Sequence, residues 1–299
     1  MARLRADIPS ENLEGIHSTL SELRDCLDDV TFQAKTVPLL REAVDKDSSQ
    51  LVECLLDNNV ALNSQLILKA TMNASYQILD VFLTHGGDIN ASINSDTPAA
   101  LAFSFHDYQL TEWFLAHGAD PNRRCYKYTD RTPLSFAFEK APFAIIELLL
   151  RHGASLQHGQ VIHYAAMREL DDLLEILQYL LDNHHPLNDI MYQNCGDEYY
   201  FHMYSGIGAP IHYAAAKGLL DTVELLVQRG ASIETRDPSG QTAADLAERY
   251  GHSAVCNFLR QFSTGSNTQD ALQFTDAPGR HFRTASPQKV VAETGFRLV

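Results

Sequence analysis

The amino-acid sequence predicts an all-α solenoid built from stacked helix-turn-helix units. A small residue, an apolar helical run and a turn recur in the same order seven times along the 299-residue chain. Glycine stands at the same place in most of these turns. A hydrophobic fraction of 45% supplies enough apolar side chains to bury a substantial core. Self-similarity at a fixed period is the sequence signature of repeat architectures.

The recurring small residue is an alanine, and its spacing sets the length of a unit. Successive alanines are 27, 32, 35, 28, 49 and 33 residues apart. Most of these values lie near the ~33 residues of one known repeat class. Because alanine lets two helices approach closely, these positions are expected at helix contacts. The alanines are Ala43, Ala70, Ala102, Ala137, Ala165, Ala214 and Ala247.

The turn after each second helix needs a left-handed backbone, which glycine adopts freely. Gly86, Gly118, Gly153 and Gly230 fall at that place. Asparagine is the next most tolerant residue, and Asn59 takes the place in the first unit. In the fifth unit the position is His184, so that turn is expected to be built differently.

Motifs at both ends of the units carry a resemblance to a known family. Thr132-Pro133-Leu134-Ser135 opens the fourth unit, and Gly118-Ala119-Asp120-Pro121-Asn122 closes the third. These motifs resemble the ankyrin-repeat family, in which Thr-Pro-Leu-His opens the first helix and Gly-Ala-Asp-x-Asn follows the second. The resemblance covers about residues 38–262. It implies short hairpin fingers beside a concave groove, and a function in binding a partner protein.

Three regions are expected along the chain. Residues 1–37 contain apolar side chains that step by three and four, which predicts an N-terminal capping helix. Residues 38–262 form the solenoid of about seven units. Residues 263–299 lose the periodicity and are expected to be a flexible C-terminal tail. The units are placed at 38–63, 65–90, 97–122, 132–157, 160–188, 209–234 and 242–262.

Charge and composition narrow the classes of partner. A net charge of −15 disfavours nucleic acid and anionic membranes, because binding those normally needs a clustered basic patch. No charged-then-apolar leader and no apolar run of ~18 residues is found, so no membrane segment is expected. Five scattered cysteines without a Cys-x-x-Cys pair favour a reducing intracellular compartment, cytoplasmic or nuclear. No cofactor or metal is expected.

One spacing is too long for a single unit. The 49 residues between Ala165 and Ala214 exceed the usual period by about 16 residues, and the excess lies near 189–208. The resemblance places such an insertion on the hairpin finger, beside the groove. Its many aromatic residues allow two interpretations. They recognise a partner, as tyrosine often does at interfaces, or they fold back and cover the solenoid's own surface.

The candidate partner-binding residues come from the first helices and from the insertion. Residues beside the anchoring alanines are expected to lean toward the groove, and Tyr164 and Tyr213 are expected to share one binding surface. The full set is Phe105, Tyr164, Arg168, Tyr192, Tyr199, Tyr200, His202, Tyr204, Tyr213 and Lys217. His163 and His212 take the fourth position of the opening motif. There the resemblance implies a structural role through backbone hydrogen bonds.

A catalytic function is the alternative. Histidines, tyrosines and two acids cluster around the insertion and would suit metal binding or acid-base chemistry. No His-Glu-x-x-His, phosphate loop or Gly-x-Ser-x-Gly pattern accompanies them. Cys195 and His202 resemble a nucleophile and a base in composition only. The sequence therefore predicts a protein-protein interaction module without catalytic residues. The alternative is a small-molecule enzyme with a pocket under the insertion, between the fifth and sixth repeats.

Overall fold

The computed structural model describes residues 12–93, 98–124 and 130–263. Every regular element in these ranges is helical, which confirms the predicted all-α class. The elements are α1 Leu13–Cys26, α2 Asp29–Asp45, α3 Ser49–Asp57, α4 Ser64–Met72, α5 Tyr76–Thr84, a 3₁₀ helix Ala100–Phe103, α6 Tyr108–Ala116, α7 Pro133–Lys140, α8 Phe143–Arg151, α9 Val161–Ala166, α10 Leu173–Asp182, α11 Asp197–His202, α12 Pro210–Ala216, α13 Leu220–Gln228, α14 Ala243–Arg249 and α15 Ser253–Ser263. None of these helices is long and apolar enough to span a bilayer.

The helices form two layers. The inner layer holds the first helix of each unit, which packs against the first helix of the next: α2, α4, the 3₁₀ helix, α7, α9, α12 and α14. The outer layer holds the second helices α3, α5, α6, α8, α10, α13 and α15. Helix α1 packs against α2 and α3, at the end of the stack. Each unit therefore contacts mainly its neighbours, as expected of a solenoid.

The anchoring alanines all lie in the first helices of the units. Six of them have no exposed surface, while Ala102 in the third unit is only half-buried. One apolar core runs from α1 to α10, and a second fills the sixth and seventh units. Leu181 and Leu187 pack against both cores, so they join the stack across the insertion.

The third unit differs from the others because its first helix is a 3₁₀ helix of four residues. Ser104 ends it: its hydroxyl donates to the Leu101 carbonyl at 2.8 Å and lies 3.0 Å from the hydroxyl of Thr111. A serine that bonds its own backbone in this way competes with helix continuation. Thr97, the predicted opening residue of this unit, lies outside the described residues.

The expectation of a different turn at His184 is wrong. His184 has φ +58°, in the same left-handed region as Gly86 at +78°. Its N–H donates to the Leu181 carbonyl at 3.1 Å, as the N–H of Gly86 donates to Leu83 at 3.1 Å. The fifth unit therefore keeps the common turn. The left-handed conformation of a residue with a Cβ costs roughly 1–2 kcal/mol of conformational free energy in this turn.

Because the first helices of adjacent units pack closely, a larger residue in place of an anchoring alanine should destabilise the protein. Ala137 is completely buried in α7, so Ala137→Leu should overpack the contact and lower the free energy of unfolding by about 1–3 kcal/mol. Ala144 is exposed on α8 of the same unit, and Ala144→Leu is the matched control, expected to change it by less than about 0.5 kcal/mol. Urea unfolding measures both. Equal effects of the two substitutions would show that the assigned register is wrong.

Candidate functional site

The root of the insertion is packed onto the fifth unit. Tyr192, Met191 and Ile207 are buried together with Tyr164 from α9, in a small apolar cluster of their own. The Tyr164 and Tyr192 hydroxyls lie 2.6 Å apart, so one donates to the other. Burial raises the pKa of Tyr164 well above its usual value and that of Tyr192 to about 12. Both phenols therefore remain neutral at physiological pH.

The backbone of this root is held in an uncommon conformation. Tyr192 has φ +64° and Gln160 has φ +54°, which is rare for residues with a Cβ. The N–H of Tyr192 donates to the side-chain oxygen of Gln160 at 3.3 Å. Such conformations cost on the order of 1–3 kcal/mol and persist only where the surroundings fix them. The buried tyrosine pair supplies that constraint.

Helix α11 is fixed to the solenoid by one buried carboxylate. Glu198 is only 6% exposed, and it accepts hydrogen bonds from the Arg124 guanidinium at 2.7 Å and from the Asp130 N–H at 3.0 Å. These residues lie on the loop between the third and fourth units. The insertion therefore reaches back across the fifth unit toward the start of the fourth.

A stacked arginine extends this contact. The guanidinium carbon of Arg131 lies 3.5 Å from the centroid of the Phe136 ring and 4.4 Å from that of Tyr164. Arg131 also forms an ion pair with Glu139. A cation over an aromatic face is attracted by the ring, so this arginine joins the inner helices of the fourth and fifth units beneath the insertion.

The tip of the insertion is exposed. Tyr200 is 70% exposed, Phe201 68% and Tyr204 89%. Tyr199 and His202 are partly exposed, and the His202 ring lies over Tyr192 with centroids 5.0 Å apart. Three large aromatic side chains thus project from helix α11 and the residues after it, in a segment whose root is packed. We call Tyr200, Phe201 and Tyr204 the aromatic tip.

Four candidate residues do not face a groove, which corrects their predicted orientation. Phe105, Tyr164, Arg168 and Tyr192 are between 1% and 7% exposed. Phe105 belongs to the main core, and the insertion covers Tyr164 while Tyr192 lies within its root. Their side chains contact the protein itself, so a partner cannot reach them in this conformation.

Arg168 joins two units through its guanidinium. It donates to the carbonyl oxygens of Phe138 at 3.1 Å and Ala141 at 2.8 Å in the preceding unit. It also holds both carboxylate oxygens of Asp172, at 2.6 and 2.7 Å. The turn that carries it is two residues longer than in the fourth unit, counting from Ala165 to Leu173. This arginine therefore satisfies carbonyls at the end of α7.

Of the last two candidates from the first helices, Tyr213 is half-buried and Lys217 is exposed. The Tyr213 hydroxyl accepts a hydrogen bond from the N–H of Gly208 at 3.1 Å, and so contacts the end of the insertion. The Lys217 ammonium donates to the Met167 carbonyl at 2.7 Å and to Glu169 at 2.8 Å. Of the predicted set, the tip residues Tyr200 and Tyr204 are the most accessible. Phe201 was missed, although it stands in the same aromatic run.

His163 and His212 make the backbone hydrogen bonds that the resemblance implies. The Nε2 atom of His163 donates to the Asp189 carbonyl at 2.8 Å, and that of His212 to the Thr235 carbonyl at 3.1 Å. Burial lowers the pKa of His163 to about 4, and it lowers the pKa of His212 too. Both rings are neutral near pH 7 and join the opening of one unit to the end of the same unit.

The space beneath the insertion is small. A cavity of about 110 Å³ lies between the fifth unit and the insertion, lined among others by Gln160, His163, His185 and Gln193. Pockets for small-molecule ligands are commonly about 300–1,000 Å³. Burial raises the pKa of the Cys195 thiol to about 11, which makes it a poor nucleophile. Within the described ranges, no three His, Cys, Asp or Glu side chains are grouped to hold a metal.

Comparisons with known proteins agree with the fold. Residues 162–270 match the family model for ankyrin repeats, in three copies. The probable E3 ubiquitin-protein ligase XBOS33 of Oryza sativa subsp. japonica is 42% identical over 69 residues, which cover 23% of this chain and 13% of that protein. Cyclin-dependent kinase inhibitor 2A of Homo sapiens is 34% identical over 86 residues, which cover 29% of this chain and 51% of that protein.

A solved structure has the same fold over a larger part of the chain. The crystal structure of the human ASB11 ankyrin repeat domain is similar with a TM-score of 0.51 and 17% identity, covering 74% of this chain and 96% of that one. The chain thus contains ankyrin repeats, matched over residues 162–270, and it has the fold of an ankyrin repeat domain. The matched segments span about half of the kinase inhibitor and much less of the ligase. Ankyrin repeats serve in general as protein-interaction modules.

The lowered histidine pKa predicts a loss of stability in acid. The unfolded chain takes up a proton near pH 6.5, whereas folded His163 does so only near 4, so stability falls as the pH drops through this window. Between pH 7.5 and 5 the loss from this residue is about 2 kcal/mol. His163→Gln keeps a donor but does not titrate.

Urea unfolding of both proteins at the two pH values measures the difference. The hydrogen bond to Asp57 raises the pKa of His85, so this residue adds stability in acid. Its contribution is the same in both proteins and cancels when the wild type is compared with the variant. The wild type should lose about 2 kcal/mol more than the variant on acidification. The same loss in both proteins would show that His163 is not buried as a neutral ring.

Proposed function

We propose that this chain is a protein-interaction module that binds a partner protein through the aromatic tip of its insertion and the adjacent edge of the concave groove. The observation that supports this most strongly is the aromatic tip, where Tyr200, Phe201 and Tyr204 are 68–89% exposed. Tyrosine and phenylalanine are enriched at interfaces because they bury a large area for few rotatable bonds. Projecting aromatics next to one another are costly to leave in water, so they indicate a contact surface.

The packed root adds to the argument. Tyr192 and Glu198 fix the segment that leads into the tip. A loop fixed before binding loses less conformational entropy when it meets its partner. The root of the insertion covers Tyr164, so in this proposal the partner contacts the tip rather than Tyr164. In this proposal residues 1–37 cap the solenoid of residues 38–262, and residues 263–299 form a tail.

The relatives point to the same class of function. One is named as an inhibitor of a kinase and one as a probable ubiquitin ligase, and both names imply action on another protein. The scattered cysteines favour an intracellular location, and the net charge of −15 disfavours nucleic acid as the partner.

The proposal predicts that removing the aromatic tip abolishes partner capture without unfolding the solenoid. Affinity purification from the native organism would compare the intact chain with a Tyr200→Ala, Phe201→Ala, Tyr204→Ala triple variant. Tyr250→Ala is the matched control, because Tyr250 is 55% exposed but lies in the seventh unit.

A specific protein should be recovered with the intact chain and the control, and at least about ten-fold less with the triple variant, because several interface anchors are lost together. The circular dichroism spectra of the intact chain, the triple variant and the control should be the same. Equal recovery with the triple variant, or recovery of no specific protein, would contradict the proposal.

A further inference from the structure

A second apolar surface runs along the outer layer of helices. In the third, fourth and fifth units, the residue ten positions before the left-handed turn is Tyr108, Phe143 or Leu174. These three side chains are 37%, 37% and 38% exposed, at the same place in consecutive stacked units. We call them the outer strip. The equivalent residues Tyr76 and Leu220 of the second and sixth units are half-buried, and in the first unit the equivalent residue is Ser49, so the exposed strip is confined to the third to fifth units.

Contacts between neighbouring helices fix the outer strip. The Tyr108 hydroxyl accepts a hydrogen bond from the Arg151 guanidinium of the next unit at 2.7 Å. The Phe143 ring meets the Tyr179 ring of the next unit edge-on, with centroids 5.8 Å apart. The strip therefore bridges neighbouring units, and more than a third of each of its side chains remains exposed.

Acidic residues surround the strip. Glu112 and Glu147 lie one helical turn after Tyr108 and Phe143, and Asp171 and Glu175 flank Leu174. All four are exposed, and none forms an ion pair within the described residues. The nearby acids Asp172, Asp182 and Glu169 are instead neutralised by arginine or lysine. An apolar surface bordered by unpaired carboxylates fits a segment that carries both apolar and basic side chains.

The chain itself contains a segment of that chemistry. Residues 277–299 hold Arg280, Arg283, Lys289 and Arg297 against the single acid Glu293, in a chain whose net charge is −15. All the lysines and arginines that follow Ser263 lie in this segment. Apolar residues alternate with them: Phe282, Val290, Val291, Phe296, Leu298 and Val299.

The chain between helix α15 and residue 277 is long enough for the basic segment to reach the outer strip. Helix α15 ends at Ser263 in the outer layer of the seventh unit, and 13 residues separate it from residue 277. An extended chain of this length spans roughly 43 Å. The fourth unit is three units away, which is about 30 Å at the usual 8–10 Å between packed helices. The basic segment can therefore reach the outer strip of its own solenoid.

We propose that residues 277–299 dock on the outer strip, with Phe282 or the C-terminal apolar residues against Tyr108, Phe143 and Leu174 and the basic side chains against Glu112, Glu147, Asp171 and Glu175. This contact is intramolecular and lies on the opposite layer from the groove. It is separate from partner binding through the aromatic tip, and it needs no partner to be observed.

Zero-length cross-linking of the full chain with a carbodiimide tests the docking. Lys289 is the only lysine after Ser263, so mass spectrometry can assign each of its cross-links to one carboxylate. Mixing ¹⁵N-labelled and unlabelled protein distinguishes cross-links within one molecule from those between two. Cross-links within one molecule from Lys289 to Glu112, Glu147, Asp171 or Glu175 are expected. Their yield should fall at least five-fold in about 0.5 M salt, where surface charges are screened.

Three variants sharpen the test. Phe143→Ser with Leu174→Ser removes the apolar contact, and Arg280→Glu with Arg283→Glu reverses tail charge without touching the solenoid. Each should reduce the cross-link yield at least five-fold. The matched control is Glu53→Lys, at the position in the first unit equivalent to Glu112, and it should leave the yield unchanged. Lys289 cross-links that spread over other units, join two molecules or fail to form would overturn the proposal.

Discussion

The whole structure depends on the close approach of first helices in adjacent units. A single unit has two short helices and cannot bury its own apolar faces, so its stability comes from its neighbours. The fully buried alanines, such as Ala137 and Ala165, make that approach possible. Charged pairs then join the ends of outer helices at equivalent positions: His85 with Asp57, and Arg229 with Asp182. These exposed pairs add little energy, but they recur where the stacking brings the helix ends together.

The stack accommodates the extra residues of the insertion without a change in its own period. The turn before it keeps the left-handed conformation at His184, and Leu187 still packs against both neighbouring cores. The added residues therefore leave the solenoid period undisturbed and fold onto the inner surface. The interpretation that the aromatic residues cover the solenoid's own surface applies to the root of the insertion, and partner recognition by the tip is our proposal. Tyr192 packs against Tyr164 at the root, whereas Tyr200 and Tyr204 project from the tip.

The sequence was sufficient to predict the fold class and the repeat, because these follow from local periodicity. The resemblance to a known family also implied the backbone hydrogen bonds that His163 and His212 make. The sequence did not predict which aromatic residues are buried, since that depends on where the insertion folds. The contact of Glu198 with Arg124 joins residues 74 positions apart, and no spacing rule connects them. The position of Arg168, three residues after Ala165, predicts a side chain directed toward the groove, and this spacing carries no information about the carbonyl groups of the preceding unit that bind it.

Binding through the tip requires an insertion with a fixed root and an accessible tip. Hydrogen exchange of the backbone amides, followed by mass spectrometry, distinguishes the two parts. Amides of residues 191–195 should exchange almost as slowly as those of the neighbouring helices α9 and α12, while those of residues 200–206 should exchange rapidly. Uniformly fast exchange across residues 189–208 would contradict the fixed root, because the buried tyrosine pair and Glu198 would then not hold the root in place.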